Sequence, residues 1–475
     1  MASDATAVAA GSIAEPETTV VREAPAAPST PAHGAAAAIV ASVHEGAATP
    51  TEVVTAALDR ITDSNQKWNA FSVVRAARAR AEAAALEQRS DLDVLPLAGA
   101  PVAVTHNIAV AGETVRCGSD ATDPALAGDD HPVVHRLRAA GAVIVGLTAV
   151  SELGLWSVTD SAGRITRNPW NPERGTGGSS GGAAAAVAAG LVPVAHGSDG
   201  LGSLRIPAAC CGVFGIKPGR HTVPAEIGSD GWGGLVENGV LATTVGDAAL
   251  ALSVLAGRPD LSEVDPPGRL RIALAVAAPH RIFRVDRHWT EAARTAAAAA
   301  QAAGHTVEPV TLPYGAALLA AFLRWLTVEL PSVALLARPE RLQPRTRRHL
   351  ALGRLVQRLR LVRPAQIDRI EARLLEFFER YDVVITPTLP AAPPRARSWS
   401  ARGWLANLLV TARLSPFTTV WNLVGWPAAS IPMGMHPRSA TPVAAQLAGP
   451  PGSESTLLRL SAQLEQRRPW PRVAP

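Results

Sequence analysis

The feature that most constrains the fold is a segment dense in glycine and serine at residues 175–218. It reads GTGGSSGGAAAAVAAGLVPVAHGSDGLGSLRIPAACCGVFGIKP, with two clusters of small residues that each hold serine. Between the clusters, residues 183–189 predict a helix and residues 191–195 predict a strand. Glycine lets a substrate approach the backbone closely. Serine beside exposed N–H groups suits acyl transfer, in which an oxyanion needs donors aimed at it. The segment therefore predicts a site for acyl chemistry.

Three alternative structures for the first cluster fit less well. Residues 177–181 match a G-x-S-x-G nucleophile elbow, but such an elbow follows an apolar strand. The preceding residues 167–172 are loop sequence instead. A phosphate-binding loop would end in GK[ST], which this cluster lacks. A flexible glycine linker does not usually continue straight into a helix.

Apolar strand candidates alternate with helices along the rest of the chain. Residues 49–52 form a capping box with proline at the first helical position, which predicts the start of a helix. Further strands are predicted at 101–104, 143–147, 271–276 and 383–386, and further helices at 133–140 and 290–303. This alternation predicts an α/β fold with a mixed central sheet, covered by helices on both faces.

The ends of the chain differ in composition. Residues 1–34 are mostly alanine, proline, threonine, glutamate and serine without a periodic apolar face, which predicts a disordered tail. This tail has no basic start followed by an apolar run, so it does not resemble a secretory signal. Nothing in residues 35–475 resembles a linker, and no apolar run has the length that spans a bilayer. We therefore expect one large domain in a cytoplasmic protein.

The cysteines predict neither a disulfide framework nor a metal site. Cys210 and Cys211 are adjacent in sequence, and Cys117 lies far from both. None of the spacings resembles that of metal ligands. We expect three reduced, buried thiols and no metal or cofactor.

The net charge of +5 comes almost entirely from arginine, since Lys67 and Lys217 are the only lysines. Residues 338–380 are especially rich in arginine and contain an apolar stripe. That pattern is compatible with a face that binds a membrane surface or nucleic acid. It is also typical of an ordinary solvated helix, which is the interpretation we adopt, so we expect no nucleic-acid partner. The sequence is silent on oligomeric state.

The segment 175–218 resembles the amidase signature, in its Gly-Gly-Ser-Ser-Gly-Gly core and in the later Gly-Ser-x-Arg-Ile-Pro. Residues 96–104 are similar to the strand that leads into the family's active site. Residues 382–388, 416–432 and 442–449 are similar to its closing segments. The resemblance implies the amidase-signature fold and a hydrolase that cleaves the C–N bond of a small carboxamide. The A subunit of glutamyl-tRNA amidotransferase is a less suitable match, because it needs partner subunits.

The resemblance also implies roles for particular residues. The nucleophile falls on Ser203, and the bridging serine, which follows an unusual cis peptide bond in the family, falls on Ser179. The oxyanion donors fall on Gly200, Leu201 and Gly202. In the family, a lysine at the end of the upstream strand takes the proton that the bridging serine relays.

Two positions depart from the family pattern. Residues 104–107 read Val-Thr-His-Asn where the family typically has Val-Lys-Asp-Asn, so Thr105 stands in the place of the lysine. Leu201 stands where the oxyanion loop normally has glycine. Threonine cannot hold a proton at neutral pH, and a serine hydroxyl is a poor nucleophile without a base.

His106 is a candidate for a substitute base, since neutral imidazole has suitable basicity. Neighbouring side chains of a strand point to opposite faces, which instead favours a histidine that faces away from Thr105 and is satisfied elsewhere. Two functions therefore stay open. One is an amidase with a weakened proton relay, and the other is a catalytically silent protein that binds an amide or a partner protein. Aromatic and leucine residues in 399–409 either line a substrate entrance or pack in the core.

Overall fold

The computed structural model describes residues 36–161, 163–227 and 231–475. The predicted tail, residues 1–34, lies outside the described residues, so the domain boundary stays a prediction. None of the helices in the described ranges combines the length and apolar character needed to cross a bilayer.

The strands of the described residues are short and mostly buried. They are β1 Phe71–Val74, β2 Pro101–Thr105, β3 Val143–Thr148, β4 Asp160–Ser161, β5 Arg164–Ile165, β6 Arg167–Asn168, β7 Asn171–Gly175, β8 Val194–Asp199, β9 Phe214–Lys217, β10 Glu237–Ala242, β11 Arg271–Leu274, β12 Thr306–Pro309, β13 Val383–Pro387, β14 Ala428–His436 and β15 Thr441–Ala448.

The α-helices of the described residues alternate with these strands along the chain. They are α1 Ala36–His44, α2 Pro50–Trp68, α3 Ala76–Leu86, α4 Pro132–Ala139, α5 Gly181–Ala188, α6 Arg205–Cys211, α7 Gly231–Gly234, α8 Val245–Ala256, α9 Arg287–Ala302, α10 Ala317–Thr327, α11 Leu330–Val333, α12 Pro344–Arg358, α13 Ala365–Phe378, α14 Trp404–Leu414, α15 Thr419–Leu423 and α16 Glu454–Arg467.

Eleven of the described strands form one mixed sheet in the order β1-β3-β2-β8-β10-β9-β14-β15-β13-β11-β12. The pairs β2–β3, β2–β8, β11–β12 and β11–β13 are parallel, and the other neighbours are antiparallel. Every residue of β2, β3, β8, β10 and β15 is buried, which requires a cover on both faces. The predicted α/β class with a mixed sheet flanked by helices is confirmed.

Most predicted elements are present, with shifts of a few residues at their ends. The capping box is confirmed, because Thr49 accepts from the N–H of Glu52 and the Glu52 side chain accepts from the N–H of Thr49. The strand predicted at 191–195 is wrong in its bounds, since β8 begins at Val194 and ends at Asp199. The chain first turns after α5 through Gly190, with a positive φ of 68°, and Pro193 then offers no N–H to a ladder.

The arginine-rich stretch is two helices, α12 and α13, and not one. The chain leaves α12 through Arg360 in the left-handed region, at φ 51°, and Pro364 precedes α13. Gly353, inside α12, lies against the carbonyl of Leu326, where a Cβ would come within 2.0 Å of the oxygen. Glycine at this position therefore allows α12 to pack closely against α10.

The sheet places the end of β2 and the second serine cluster, which follows β8, on the same side. β2 and β8 are parallel neighbours, with Val102 opposite Val194 and Ala103 opposite Ala195. Their carboxyl ends, Thr105 and Asp199, therefore lie at the same edge of the sheet. Crevices at the carboxyl ends of strands are where open α/β sheets bind ligands.

A fully buried ion pair fixes the loop that follows β8. The guanidinium of Arg205, at the start of α6, donates from Nε to Asp199 Oδ2 at 2.8 Å and from NH2 to Asp199 Oδ1 at 3.0 Å. The same carboxylate accepts from the N–H of Gly202 at 2.6 Å. Arg205 also donates to the side-chain oxygens of Gln446 and Asn422. These contacts tie the loop at residues 200–204 to the C-terminal half of the sheet.

Burial alone would raise the pKa of Asp199, but the charge and hydrogen bonds of Arg205 outweigh it and lower this pKa to about 2. The ordinary pKa of an aspartate is about 3.9. A pKa that is lower in the folded state means that the carboxylate stabilises the fold fully above about pH 4. This contribution is lost as the pH falls through about 2.

We predict that Asp199→Asn lowers the free energy of unfolding by about 3–5 kcal/mol at neutral pH, because it leaves the Arg205 guanidinium buried without a counter-charge. Denaturant unfolding followed by tryptophan fluorescence measures this change. The matched control is Asp382→Asn, whose carboxylate pairs with Arg271 on the surface at 2.9 Å. The control should cost no more than about 1 kcal/mol. Equal costs for the two variants would contradict the assigned role of the buried pair.

Candidate active site

Ser203 and Ser179 line the same cavity at the edge where β2 and β8 end. This inner cavity has a volume of about 220 Å³, and Asn107 and Ser198 also line it. The Gly178–Ser179 peptide bond is cis, as the resemblance predicts. The two serine clusters are joined directly, since the N–H of Ser180 donates to the carbonyl of Ser203 at 3.0 Å. The structure therefore brings together the two serines predicted from sequence.

A second, apolar cavity adjoins Ser203. This outer cavity has a volume of about 460 Å³, and Gly154, Ser203 and Trp232 line both cavities. Its apolar walls come from the loop before α9, from α10 and from α14: Ile282, Phe283, Leu318, Leu319, Phe322, Trp325, Leu408 and Leu409. Ser203 therefore lies where the two cavities meet. Leu408 and Leu409 of α14 line the outer cavity, whereas Leu405 does not. That residues 399–409 line a substrate entrance stays a prediction.

The loop at residues 200–203 carries the predicted oxyanion donors. The N–H of Gly202 is already donated to Asp199, so it is not free to bind an oxyanion. Within the described residues, the N–H groups of Gly200, Leu201 and Ser203 donate to no protein acceptor. Two or more free N–H groups beside a nucleophile are what an oxyanion hole requires.

At two positions of this loop, close neighbours leave no room for a side chain, which requires glycine. A Cβ on Gly202, which has φ 114°, would lie 2.2 Å from Thr418 Oγ1. A Cβ on Gly200 would lie 2.5 Å from the indole of Trp232. Leu201, between them, is only partly buried and faces the outer cavity. The Leu201 side chain is therefore accommodated between the outer cavity and the hydrophobic core.

Thr105 is buried at the end of β2 and lines neither cavity of Ser203. Its hydroxyl donates to the carbonyl of His196 at 2.8 Å, and its N–H donates to Nδ1 of the same residue at 3.3 Å. His196 Nε2 bonds to Asn238 Oδ1 at 2.8 Å, so both ring nitrogens are engaged. Burial lowers the pKa of His196 to about 4. Neither Thr105 nor His196 therefore offers a proton acceptor to the serines.

The structure does not bring His106 together with the two serines. Its Nδ1 bonds to Ser72 Oγ at 2.8 Å and its Nε2 to the carbonyl of Thr114 at 2.7 Å. It lines a different cavity, and burial lowers its pKa. These contacts match the interpretation of a histidine satisfied elsewhere.

The two lysines of the chain are engaged elsewhere in the fold. Lys217 is fully buried in β9 and donates to the carbonyl of Pro218 at 2.6 Å. Burial lowers its pKa and raises that of its neighbour Glu237. The ammonium of Lys67 lies over the ring of Trp68, 4.1 Å from its centroid. Neither side chain lines the inner or the outer cavity.

Four cavity residues could not be assigned to the site from sequence, because no local motif marks them. Glu329, between α10 and α11, accepts from the indole N–H of Trp232 in the inner cavity. Burial, aided by the charge of Glu329, raises the pKa of Cys117 to about 12, so this thiol is protonated. His280 lies on the rim of the outer cavity, and its Nδ1 accepts from the N–H of Ile282 at 3.3 Å. Only the fold shows that these distant positions share a site.

The described residues contain one cluster that could hold a metal, but it lies apart from the serines. Potential ligand atoms of Asp286, His288 and His436 lie within 4.8 Å of one another. His436 Nδ1 accepts from the N–H of Ser439, so the ring proton resides on Nε2, which bonds to Asp286 at 3.3 Å. This hydrogen bond uses the nitrogen that a metal would need. The three cysteines are free thiols, as predicted, and Cys117 is only partly buried.

Comparisons with solved structures find the same overall fold in known proteins. The structure is similar to 6-aminohexanoate cyclic dimer hydrolase complexed with substrate, with a TM-score of 0.80, 29% identity and coverage of 93% of this chain and 98% of that one. It is also similar to a bacterial aryl acylamidase of the amidase signature family, with a TM-score of 0.75, 26% identity and coverage of 93% and 98%.

The sequence comparisons give closer relatives. The chain is 40% identical to the putative amidase AmiB2 of Mycobacterium tuberculosis over 455 residues, which covers 93% of this chain and 98% of the relative. It is 39% identical to the putative amidase AmiA2 of Mycobacterium bovis, covering 89% and 91%. The family model for amidases matches residues 52–458. The chain therefore belongs to the amidase family.

Proposed function

We propose that this protein hydrolyses carboxamide C–N bonds with Ser203 as the nucleophile and Ser179 as the bridging proton relay, at a rate that Thr105 limits. Membership of the amidase family supports amide hydrolysis in general. The observation that carries the specific proposal is that both serines line one cavity, beside a loop with free backbone N–H groups. The residue roles come from the family resemblance.

In the proposed reaction, Ser203 Oγ attacks the amide carbonyl carbon, and the carbonyl oxygen becomes an oxyanion that the N–H groups of the 200–203 loop stabilise. The hydroxyl proton passes by way of Ser179 to the departing amine, while the C–N bond breaks. Water then hydrolyses the acyl-serine ester, which releases the acid and restores Ser203. Thr105 cannot store the proton between these events, so the relay lacks its terminal acceptor.

General-base catalysis contributes about 10²–10⁴-fold to such reactions. We predict that Thr105→Lys raises the rate of amine release from simple carboxamides at least about 100-fold. The assay follows ammonia or amine release from a panel of amides by the unmodified protein and by the variant. Thr105→Val, which removes the hydroxyl without adding an amine, is the matched control and should show no gain. A Thr105→Lys protein that folds but is no faster would contradict the proposed relay.

The nucleophile is tested separately. Ser203→Ala, made in both the unmodified protein and the Thr105→Lys background, should abolish turnover, because no other hydroxyl takes the same place in the proposed chemistry. Mass spectrometry of the Thr105→Lys protein quenched during turnover should show an acyl adduct on Ser203. Turnover that persists in Ser203→Ala would rule out this serine as the nucleophile.

His106→Ala should leave turnover unchanged and lower the free energy of unfolding by about 1–3 kcal/mol, because it removes two hydrogen bonds far from the serines. His280→Ala is the informative comparison, since His280 is the one imidazole among the described residues that lines a cavity with Ser203. Steady-state rates and unfolding curves are measured for both variants. Loss of turnover in a folded His106→Ala protein would show instead that His106 acts as the base.

The chemistry of the inner cavity supports a second candidate function, a catalytically silent protein that binds amides. Among the described residues, no lysine, arginine or histidine lines the inner cavity. A protein that binds amides with both serines intact, but stays silent with Thr105 and gains turnover with Thr105→Lys, would fit this function.

A further inference from the structure

We infer, resting on the proposed function, that the substrate is an amide that joins an apolar group to a group bearing a primary ammonium. Ser203 lies between two cavities that both have apolar walls, but only the inner one is also lined by carboxylates. An amide bound with its carbonyl at Ser203 therefore extends one arm into each cavity. The walls of the two cavities determine the chemical character of the two arms.

The outer cavity suits an apolar arm. Its walls are mainly leucine and aromatic side chains, and at about 460 Å³ it is large enough for an alkyl chain or an aromatic ring. Its rim carries three large apolar side chains that are mostly exposed, Ile282 at 71%, Leu319 at 59% and Leu409 at 62%. Large apolar patches exposed at the mouth of a pocket commonly mark a binding site. An apolar arm would cover these side chains and remove their surface from water.

The inner cavity suits a cation. Glu329, only 5% exposed, and Asp123, at the surface, both line it, and no lysine, arginine or histidine of the described residues does. Its other polar groups include the hydroxyls of Thr122, Ser198 and Ser332. An anionic arm would face these two carboxylates, which repel it.

Two oxygen atoms of the inner cavity's walls add an independent observation. Asn107 Oδ1 and Ser332 Oγ are buried and have no hydrogen-bond partner among the described residues. Asn107 is itself 92% buried, since its exposed fraction is 8%. Buried polar atoms without partners are rare in native proteins. A primary ammonium offers three N–H donors and no acceptor, which matches oxygen atoms in need of donors.

The indole of Trp232 lies where the two cavities meet. Its ring covers Gly200, its N–H donates to Glu329, and it lines both cavities. The donated hydrogen bond holds the carboxylate of Glu329 at the wall of the inner cavity. An ammonium there would contact a carboxylate and an aromatic ring together, and both attract cations.

The test measures binding in the Ser203→Ala protein by isothermal titration calorimetry, so that turnover does not interfere. The probes are N-(2-aminoethyl)octanamide, its uncharged isostere N-propyloctanamide, the anionic N-octanoyl-β-alanine and the short N-(2-aminoethyl)acetamide. N-octyl-3-aminopropanamide, the reversed amide, tells which arm is the acyl group. We expect one of the two long ammonium probes to bind at least about tenfold more tightly than the uncharged isostere. The short probe should bind at least about 100-fold more weakly than its octanoyl counterpart.

Variants assign each preference to its cavity. Glu329→Gln keeps an acceptor for Trp232 and should reduce the ammonium preference about tenfold, with the chain-length preference unchanged. Asp123→Asn tests the charge from the surface, with Asp129→Asn as its control because Asp129 is exposed and lines neither cavity. Leu409→Ala should weaken binding of both octanamides about threefold. Leu405→Ala is its matched control, on the same helix and 61% exposed but outside the cavity.

Equal affinity for the ammonium and uncharged octanamides would overturn the inference, as would an unchanged ammonium preference in a folded Glu329→Gln protein. These outcomes differ from failure of the proposed function. Ammonium-selective binding without any turnover in the Thr105→Lys protein would reject the hydrolase and retain the inference. Turnover without any preference for the ammonium probes would reject the inference and retain the hydrolase.

Discussion

The geometry of the site depends on one buried ion pair, Asp199 with Arg205. Asp199 is the last residue of β8, and its carboxylate accepts a hydrogen bond from the N–H of Gly202. This bond fixes the direction of the loop that carries Ser203. The guanidinium of Arg205 reaches Gln446 of β15, so a strand from the far end of the sequence supports the same loop. A buried pair of this kind is costly to desolvate, and its better attested value lies in fixing one arrangement. Here the fixed arrangement leaves three neighbouring N–H groups without acceptors among the described residues.

Packing also constrains the side chain at position 105. The side chain of Thr105 is fully engaged within the sheet, because its hydroxyl and its N–H both donate to His196. His196 in turn bonds to Asn238 of the neighbouring strand β10. The position has therefore joined a satisfied polar network in the sheet interior. A lysine at position 105 would remove the hydroxyl that donates to the carbonyl of His196. The resulting loss of stability would oppose the gain in catalytic rate.

The class of fold could be predicted from sequence because strands and helices alternate along the chain. The two serines could be named because their glycine-rich clusters resemble the amidase signature. The bounds of β8 could not be predicted. Leu191 and Val192 are as apolar as strand residues, but the turn at Gly190 places them outside the hydrogen-bonded ladder. Glu329 and Trp232 could not be assigned to the site either. They are 97 residues apart in sequence, and only the tertiary fold brings them together. The occupied N–H of Gly202 is likewise a consequence of three-dimensional packing.

The charge of the inner cavity links binding to chemistry. Burial, with a smaller contribution from the charge of Glu329, raises the pKa of Cys117 to about 12. The alkoxide that Ser203 develops during attack is an anion that forms in the cavity that Glu329 also lines, and repulsion by this carboxylate is an electrostatic penalty. In the family this penalty is offset by the lysine, which accepts the proton. A substrate ammonium in the inner cavity would offset part of the penalty through its charge, even though it could accept no proton. The substrate class that the cavity selects would then be the class whose hydrolysis suffers least from threonine at position 105.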